Sequence, residues 1–232
     1  LPVSGEKGPA PVPGERPNWS PDGRKIVFDC DNRILLLDAK TGETAEAGRS
    51  AVRAEKRSPV WSADGTRILY VRDGDIWELA LATGAEKLFR KRETNLPYTD
   101  LHVLPGRPRA VALATERELM GSTGRPGWII GTDDPASRRI LLGNCNNPVF
   151  SRDGTKVAFD RAGLVWVMEI AAEEPVQVTT GRYGDEEPSF SADGRTIFFT
   201  SRRNDTNRDG AVNWKDDPGI YTVTLPENRP TR

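Results

Sequence analysis

The chain has 232 residues and a formal net charge of −1, with 33 basic against 34 acidic side chains. Such a balance argues against a nucleic-acid-binding surface, and the sequence has no run of about 18 apolar residues that could cross a membrane. The length suits one domain of ordinary size. We therefore expect residues 1–232 to form a single monomeric domain that neither spans a membrane nor binds nucleic acid.

A short segment recurs along the chain: an aromatic residue, Ser, any residue, Asp and Gly, followed by an apolar stretch. Four copies end at Gly23, Gly65, Gly154 and Gly194. The interval between the second and third of these is about twice the others, and a degenerate copy near Gly106 lies within it. A repeat of about 40–45 residues is typical of one blade of a β-propeller. The sequence therefore predicts five blades that begin near residues 17, 59, 101, 147 and 187.

Within each copy the sequence predicts four antiparallel strands. The Asp side chain can bond to backbone amides of the first turn, and Gly takes the positive φ. The second strand, such as 26–28, is apolar throughout, as expected for a strand covered on both faces. A second turn follows at Gly42, Gly84 and Glu173 in three of the copies. The fold class is therefore predicted to be all-β, a five-bladed propeller of four-stranded antiparallel blades.

The fifth copy has no sequence for an outer strand after Leu225. Residues 1–4 are a candidate, because Val3 precedes Trp19 at about the distance that separates an outer strand from the next inner strand elsewhere. We expect residues 1–4 to complete the last blade, so that this N-terminal strand closes the ring and protects its sheet edges.

The repeat resembles that of TolB-like propellers, whose blades carry P-x-W-S-P-D-G and then D-x-x-T-G. Residues 17–23 read P-N-W-S-P-D-G, and residues 38–42 read D-A-K-T-G. The resemblance covers residues 17–225 and is specific for the repeat rather than for one protein. It implies a propeller, and together with a calcium site it implies a periplasmic or secreted location.

The fifth copy contains an insertion that fits the calcium-loop pattern D-x-N-x-D-G. Its spacing wraps oxygen ligands around one point, as Ca²⁺ requires. The expected ligands are Asp205, Asn207, Asp209, the carbonyl of Ala211, Asn213 and Asp216. The segment looks like a dockerin or EF-hand loop, with Asp in place of Glu at its twelfth position and with Val212 expected to point inward. The alternative is a solvated acidic hairpin tip without metal.

Other chemistry-bearing residues are sparse. His102 is the one histidine, no G-x-S-x-G nucleophile motif occurs, and the recurring serines belong to turns. Five tryptophans occupy repeat positions and are expected in the core: Trp19, Trp61, Trp77, Trp128 and Trp166. Trp214 lies in the insertion and either packs that loop down or forms an exposed contact.

Two functions follow from these observations. The first is a non-catalytic binding or scaffold propeller, whose partner is a protein, a peptide or a glycan. The partner would dock on the face bearing the insertions of blade three, 116–126, and blade five, 201–219, because function concentrates in loops on a rigid scaffold. The alternative is a glycan lyase or hydrolase that uses carboxylates at the tunnel mouth.

Overall fold

A computed structural model describes residues 13–48, 54–92, 97–103, 107–114, 125–181 and 184–226. These residues form β-strands joined by turns and loops, without a helix. Among them, accordingly, no helix has the length and apolar character needed to cross a bilayer. The all-β class predicted from the sequence is confirmed.

The strands follow the predicted repeat. In chain order they are Glu15–Trp19 (β1), Lys25–Cys30 (β2), Arg33–Asp38 (β3), Thr44–Glu46 (β4), Lys56–Trp61 (β5), Arg67–Arg72 (β6), Asp75–Ala80 (β7), Glu86–Arg90 (β8), Tyr98–Val103 (β9), Arg109–Ala114 (β10), Arg125–Gly131 (β11), Ile140–Phe150 (β12), Lys156–Arg161 (β13), Leu164–Glu169 (β14), Glu174–Gln177 (β15), Glu186–Phe190 (β16), Thr196–Ser201 (β17) and Gly219–Thr224 (β18).

Each repeat forms an antiparallel sheet whose strands pair in chain order. β1–β4 and β5–β8 are four-stranded, whereas β16–β18 has three strands. The third and fourth repeats merge into one seven-stranded sheet, β9–β15, because β12 pairs first with β11 and then with β13. Cys145 lies inside this continuous strand and is buried.

The repeated Ser and Asp build the first turn of each blade. In the second blade the buried Ser62 hydroxyl donates to Asp64 Oδ1 at 2.6 Å and accepts the N–H of Arg67 at 3.0 Å. Gly65 takes a φ of 70°. The equivalent bonds recur at Ser20, Ser151 and Ser191. The prediction that these serines are turn residues is confirmed.

Apolar side chains between neighbouring blades form the core. Trp61 packs with Val27 and Ile34 of the first blade, and its indole N–H donates to the carbonyl of Asn18 at 3.1 Å. Trp61 is 4% exposed, whereas Trp19, at the same repeat position, is 49% exposed. The prediction that Trp19 lies in the core is therefore wrong, because no described blade covers this face of the first blade.

The last blade has the complementary open face. Phe198 occupies a repeat position that is fully buried in the four other blades, yet it is 39% exposed, and Ile220 beside it is 79% exposed. Within the described residues β18 pairs only with β17, and no closed sheet joins the last blade to the first. Residues 1–4, predicted to pair there, lie outside the described residues.

Candidate functional site

Blade five holds its insertion firmly at the base. Asp185 is completely buried, accepts two hydrogen bonds at 3.0 Å from Arg203 Nη2, and accepts one at 2.5 Å from the Ser201 hydroxyl. The Arg203 guanidinium also stacks 4.9 Å from the ring centre of Tyr221. These contacts fix the chain where it leaves β17, so the insertion starts from a rigid point.

The predicted calcium ligands lie on one loop. Asp205 accepts the N–H groups of Asp209 at 3.0 Å and Gly210 at 2.9 Å, so its carboxylate faces the bend at Gly210. Asn207 Oδ1 accepts the N–H of Asp209 at 2.9 Å. These bonds curve residues 205–210 around the side-chain oxygens of Asp205 and Asn207.

Two of the predicted ligands, Asn207 and Asn213, donate to the Asp209 carboxylate. Amide groups of Asn207 and Asn213 lie within 3.2 Å and 3.3 Å of Asp209 Oδ2, and Asn213 also bonds to the carbonyl of Ala211 at 3.0 Å. The oxygen and nitrogen atoms of an Asn amide are assigned from the hydrogen-bond network. For these two amide oxygens to face a cation at this point, the amides would have to rotate, and each oxygen would give up the backbone N–H that it accepts, from Asp209 and from Lys215.

Asp216 closes the loop in a different way. Its buried carboxylate accepts the N–H groups of Asn213 at 2.7 Å, Thr206 at 2.7 Å and Asn207 at 3.2 Å. The backbone N–H of Asn213, with those of Asn207 and Thr206, lowers the pKa of Asp216 below its ordinary value. Asp216 therefore links the two ends of the loop through the backbone.

The donor set fits a hard cation in its chemistry, because it consists of carboxylates, amides and a carbonyl. Within the part of the chain that the structure describes, however, no three His, Cys, Asp or Glu side chains form a common metal-binding group. The residues able to hold a cation are thus Asp209, Ala211, Asn207 and Asn213, with Asp205 and Asp216 adjoining through hydrogen bonds.

Two apolar side chains of the insertion face solvent. Trp214 is 79% exposed, so of the two alternatives it does not pack the loop down. Val212 is 42% exposed rather than pointing inward, because the interior of this short loop is filled by the hydrogen-bonded polar groups around Asp216. Of the blade-three insertion, 116–126, all but the last two residues lie outside the described residues.

The sequence did not reveal a charged network that joins the inner strands of the first three blades. Arg16 joins three carboxylates, which belong to Glu15, Asp29 and Asp100, at distances of 2.9 Å, 3.0 Å and 3.0 Å. Asp100 also accepts the Ser58 hydroxyl at 2.9 Å. Burial raises the pKa of Asp29 above its ordinary value, against the opposing charge of Arg16. This network ties the first three blades together.

The inner strands carry a repeated distortion at this same end. Arg16, Ser58, Asn147 and Glu187 each precede a proline, each lie at a register shift, and each adopt a left-handed φ between 46° and 53°. Such a conformation costs a non-glycine residue of order 1–3 kcal/mol, and it concentrates at functional positions. The x-Pro-x-aromatic pattern in the sequence was the available signal.

A cavity of about 430 Å³ lies between the inner strands of the first four blades. Arg16, Ser58 and Asp100 border it, and apolar residues such as Val60 and Val149 line its wall. A second cavity of about 490 Å³ adjoins Arg16 and Asp29 between the first two blades. We call the end of the first cavity at Arg16, Ser58 and Asp100 the channel mouth. It lies on the side of the blade-five insertion, because each inner strand begins beside the end of the second strand.

No family model matches the chain, and no curated protein matches it. Solved structures match in fold. A putative TolB from Agrobacterium tumefaciens aligns with 18% identity and a TM-score of 0.60 over 81% of this chain and 69% of that one. TolB from Acinetobacter baumannii aligns with 19% identity and a TM-score of 0.56 over 84% of this chain. The chain spans half the length of that second protein.

A third structural match is regucalcin from Agrobacterium tumefaciens, described as a calcium-binding protein. It aligns with 16% identity and a TM-score of 0.58, over 81% of this chain and 67% of that one. At such identities the likeness concerns the fold alone. The chain has a β-propeller fold of the kind found in TolB.

Proposed function

We propose that the chain is a non-catalytic binding scaffold whose partner docks on the face that carries the channel mouth and the blade-five insertion. The observation that carries the proposal is Trp214, which is 79% exposed on a loop anchored by buried polar contacts. Exposed aromatic side chains on rigid supports are enriched among the residues that dominate binding energy. The partner is a protein, a peptide or a glycan.

The mouth of the channel supports binding rather than catalysis. A retaining or inverting glycosidase needs one carboxyl group as an acid and a second as a nucleophile or base. Here Asp29 and Asp100 share the guanidinium of Arg16, with N–O distances of 3.0 Å to each. Ion pairs of this kind, between Arg16 and the two carboxylates, fix the conformation of the surface and orient its polar groups toward a partner.

Calcium, in this proposal, has a structural role in the insertion. Asp205, Asn207, Asp209, the carbonyl of Ala211, Asn213 and Asp216 are the proposed ligands, as in a dockerin or EF-hand loop. An ion at this point would neutralise the carboxylates that crowd the loop and would hold Trp214 in place. Extracellular calcium modules work with a Kd of about 10⁻⁴–10⁻³ M, which suits a periplasmic or secreted protein.

We also propose that the propeller has five blades and that its N-terminal strand closes the ring, making a monomer. The open faces support this, because Trp19 on the first blade and Phe198 on the last occupy positions that are buried at the internal interfaces. Among the described residues one edge of β18 has no partner strand, and in this proposal residues 1–4 pair there. Deletion of residues 1–6 should then lower the melting temperature, and an unchanged melting curve would contradict closure.

The proposed binding face can be tested by substitution. Trp214→Ser should reduce capture of the native partner, whereas Leu88→Ser should not, because Leu88 is equally a surface apolar residue but lies on the outer rim. Both variants should retain the wild-type melting temperature. Capture that is lost equally in both variants, or in neither, would contradict the proposal.

The alternative is a glycan lyase or hydrolase with its carboxylates at the tunnel mouth. One observation favours it: the buried Asp29, beside a cavity of about 490 Å³, has a raised pKa, as catalytic acids often have. Turnover of a polysaccharide that disappears in Asp29→Asn and persists in Asp31→Asn, a change at a neighbouring exposed carboxylate, would establish the enzyme and overturn the scaffold.

A further inference from the structure

The cavity of about 490 Å³ between the first two blades has a buried carboxylate in its wall. This carboxylate belongs to Asp29, which is 8% exposed and lies near the end of β2. Its Oδ2 accepts a hydrogen bond of 3.0 Å from Arg16 Nη1. Its Oδ1 is buried and has no hydrogen-bond partner within the part of the chain that the structure describes. Because an unbonded buried carboxylate oxygen costs free energy, one further donor would stabilise the site.

Arg16 neutralises Asp29 only in part. The same guanidinium is ion-paired with Glu15 and Asp100, at N–O distances of 2.9 Å and 3.0 Å. Burial of Asp29 outweighs the attraction of Arg16, so the pKa of Asp29 is raised above its ordinary value. A second positive group beside Asp29 would stabilise the ionised carboxylate.

The rest of the wall disfavours two other kinds of ligand. Lys56 is ion-paired with Glu86 at 2.5 Å and Arg57 with Glu55 at 3.2 Å, so an anion would find these cationic side chains already paired. A metal ion needs several ligating side chains at one point. Within the described ranges no three His, Cys, Asp or Glu side chains form such a group. An organic cation brings its own N–H donors and needs fewer carboxylates around it.

The border of this cavity favours a positively charged ligand. Glu15, Asp31 and Glu55 line it with exposed carboxylates, beside the basic residue Arg57. A cleft lined mainly by one sign of charge raises the local concentration of ions of the opposite sign. The volume of about 490 Å³ lies within the range of about 300–1,000 Å³ seen for ligand pockets. It therefore admits an ammonium or guanidinium group with a short aliphatic stem.

We propose that this cavity binds an organic cation, through a primary ammonium or guanidinium group that donates a hydrogen bond to Asp29. The inference goes beyond the proposed docking face, because it concerns a separate site between the first two blades. The two oxygens of the Asp29 carboxylate exchange places by rotation about the soft Cβ–Cγ bond, so the ligand donates to whichever oxygen faces the cavity. A hydrogen bond between charged groups is about twice as strong as one between neutral groups. The cation belongs to a small amine or to a lysine or arginine side chain of the docked partner.

The test titrates the whole chain with n-butylammonium chloride and follows the backbone amide chemical shifts by NMR. We expect a Kd of about 1 mM, because so small a ligand has limited affinity. The shifted amides should belong to the cavity wall, residues 29–32 and 55–57. Two probes of the same size are controls: 1-butanol has the stem without the charge, and tetramethylammonium has the charge without an N–H donor. Both should bind about tenfold more weakly.

Two variants test the role of the buried carboxylate. Asp29→Asn keeps the size of the side chain but removes its charge, and it should weaken n-butylammonium binding about tenfold. Asp31→Asn removes an exposed carboxylate at the border, where asparagine tolerates the φ of 49°, and should weaken binding less than about threefold. Thermal unfolding establishes that both variants are folded.

Three results would overturn the proposal: chemical shift changes outside the cavity wall or none at all, a control probe that binds as tightly as n-butylammonium, or wild-type affinity in folded Asp29→Asn. The wild-type titration decides the matter alone if Asp29→Asn does not fold. Where the site is supported, n-butylammonium that blocks capture of the native partner identifies a basic side chain of that partner as the occupant, and undisturbed capture identifies a small amine. Trp214 lies outside this site, so its failure leaves the proposed docking face standing.

Discussion

The anchor of the blade-five insertion gives a quantitative prediction. Asp185→Ala removes a fully buried carboxylate that accepts two hydrogen bonds from Arg203 and one from Ser201. Breaking a buried ion pair from one side costs about 3–5 kcal/mol. Because Arg203 keeps 30% of its side chain exposed, water can partly solvate the remaining charge, and we expect the lower end, about 3 kcal/mol.

The assay is urea unfolding followed by tryptophan fluorescence, with the thermal midpoint as a second measurement. A loss of about 3 kcal/mol should lower the melting temperature by about 6–12 °C for a chain of this size. The double variant Asp185→Ala with Arg203→Leu should be less destabilised than the sum of the single changes, because the two residues interact. Asp31→Asn is the control, since the ion pair of Asp31 with Arg33 is long and exposed and asparagine tolerates the φ of 49° at this position.

The same variant should loosen the insertion. Trypsin cleavage after Arg208, within the loop, should become faster in Asp185→Ala than in the wild type at a temperature where both remain folded. A loss of less than about 1 kcal/mol, additive single and double effects, or unchanged cleavage would refute the view that this buried pair anchors the binding loop.

Three further predictions follow from the turns and the insertion. Ser62→Ala should destabilise the fold by about 1–3 kcal/mol, because a buried N–H loses its acceptor. The Ser62 hydroxyl helps lower the pKa of Asp64 to about 2, so the stability from this one contact is complete above about pH 4 and is lost as the pH falls toward 2. The stability difference between the two proteins should therefore narrow toward pH 2 to the part that the Arg67 N–H contributes, and a difference that does not change with pH would contradict the assignment. Calcium at about 1 mM should add about 2.7 kcal/mol of stability if the Kd is about 10⁻⁵ M. EGTA should lower the melting temperature of the wild type but not that of the double variant Asp205→Ala with Asp209→Ala. Absence of calorimetric heat on Ca²⁺ addition would contradict the site. Gly84→Ala should cost more stability than Ala85→Gly, because Gly84 has a φ of 70° that alanine disfavours; equal melting temperatures would contradict this.

The turns and the second strand of each repeat could be predicted from the sequence. The Ser and Asp of each turn, the glycine after them and the apolar second strand are local features, and local hydrogen bonds such as Ser62 to Asp64 enforce them. The second turns at Gly42, Gly84 and Glu173 were also predicted, and all three residues adopt a left-handed φ. Short-range geometry of this kind needs no knowledge of neighbouring blades.

Features that depend on contacts between blades could not be predicted from the sequence. The exposure of Trp19 depends on what covers the first blade, although its own motif is identical in kind to that of Trp61. The bond from Arg16 to Asp100 joins residues 84 positions apart. The continuous β12 likewise depends on how two blades approach each other rather than on the residues between them.

The structure of the insertion could be predicted from the sequence in part. Its hydrogen bonds are local, and the described loop curves around Asp205 and Asp209, the residues at which the pattern placed its first and fifth positions. The pattern could not show that Asp216 would bond to three backbone amides, or that Val212 would face solvent. Both depend on how the loop rests on blade five.

Site-specific photo-crosslinking tests most directly the central claim that a partner docks on the face of the blade-five insertion. A photoreactive phenylalanine analogue replaces Trp214 on the proposed binding face, and in a second protein it replaces the exposed Arg24 on the opposite face. Both proteins are irradiated with extract from the source cells and calcium. The account predicts one dominant adduct from position 214 that disappears on competition with unmodified protein, and none from position 24. Specific adducts from position 24, with none from position 214, would contradict it.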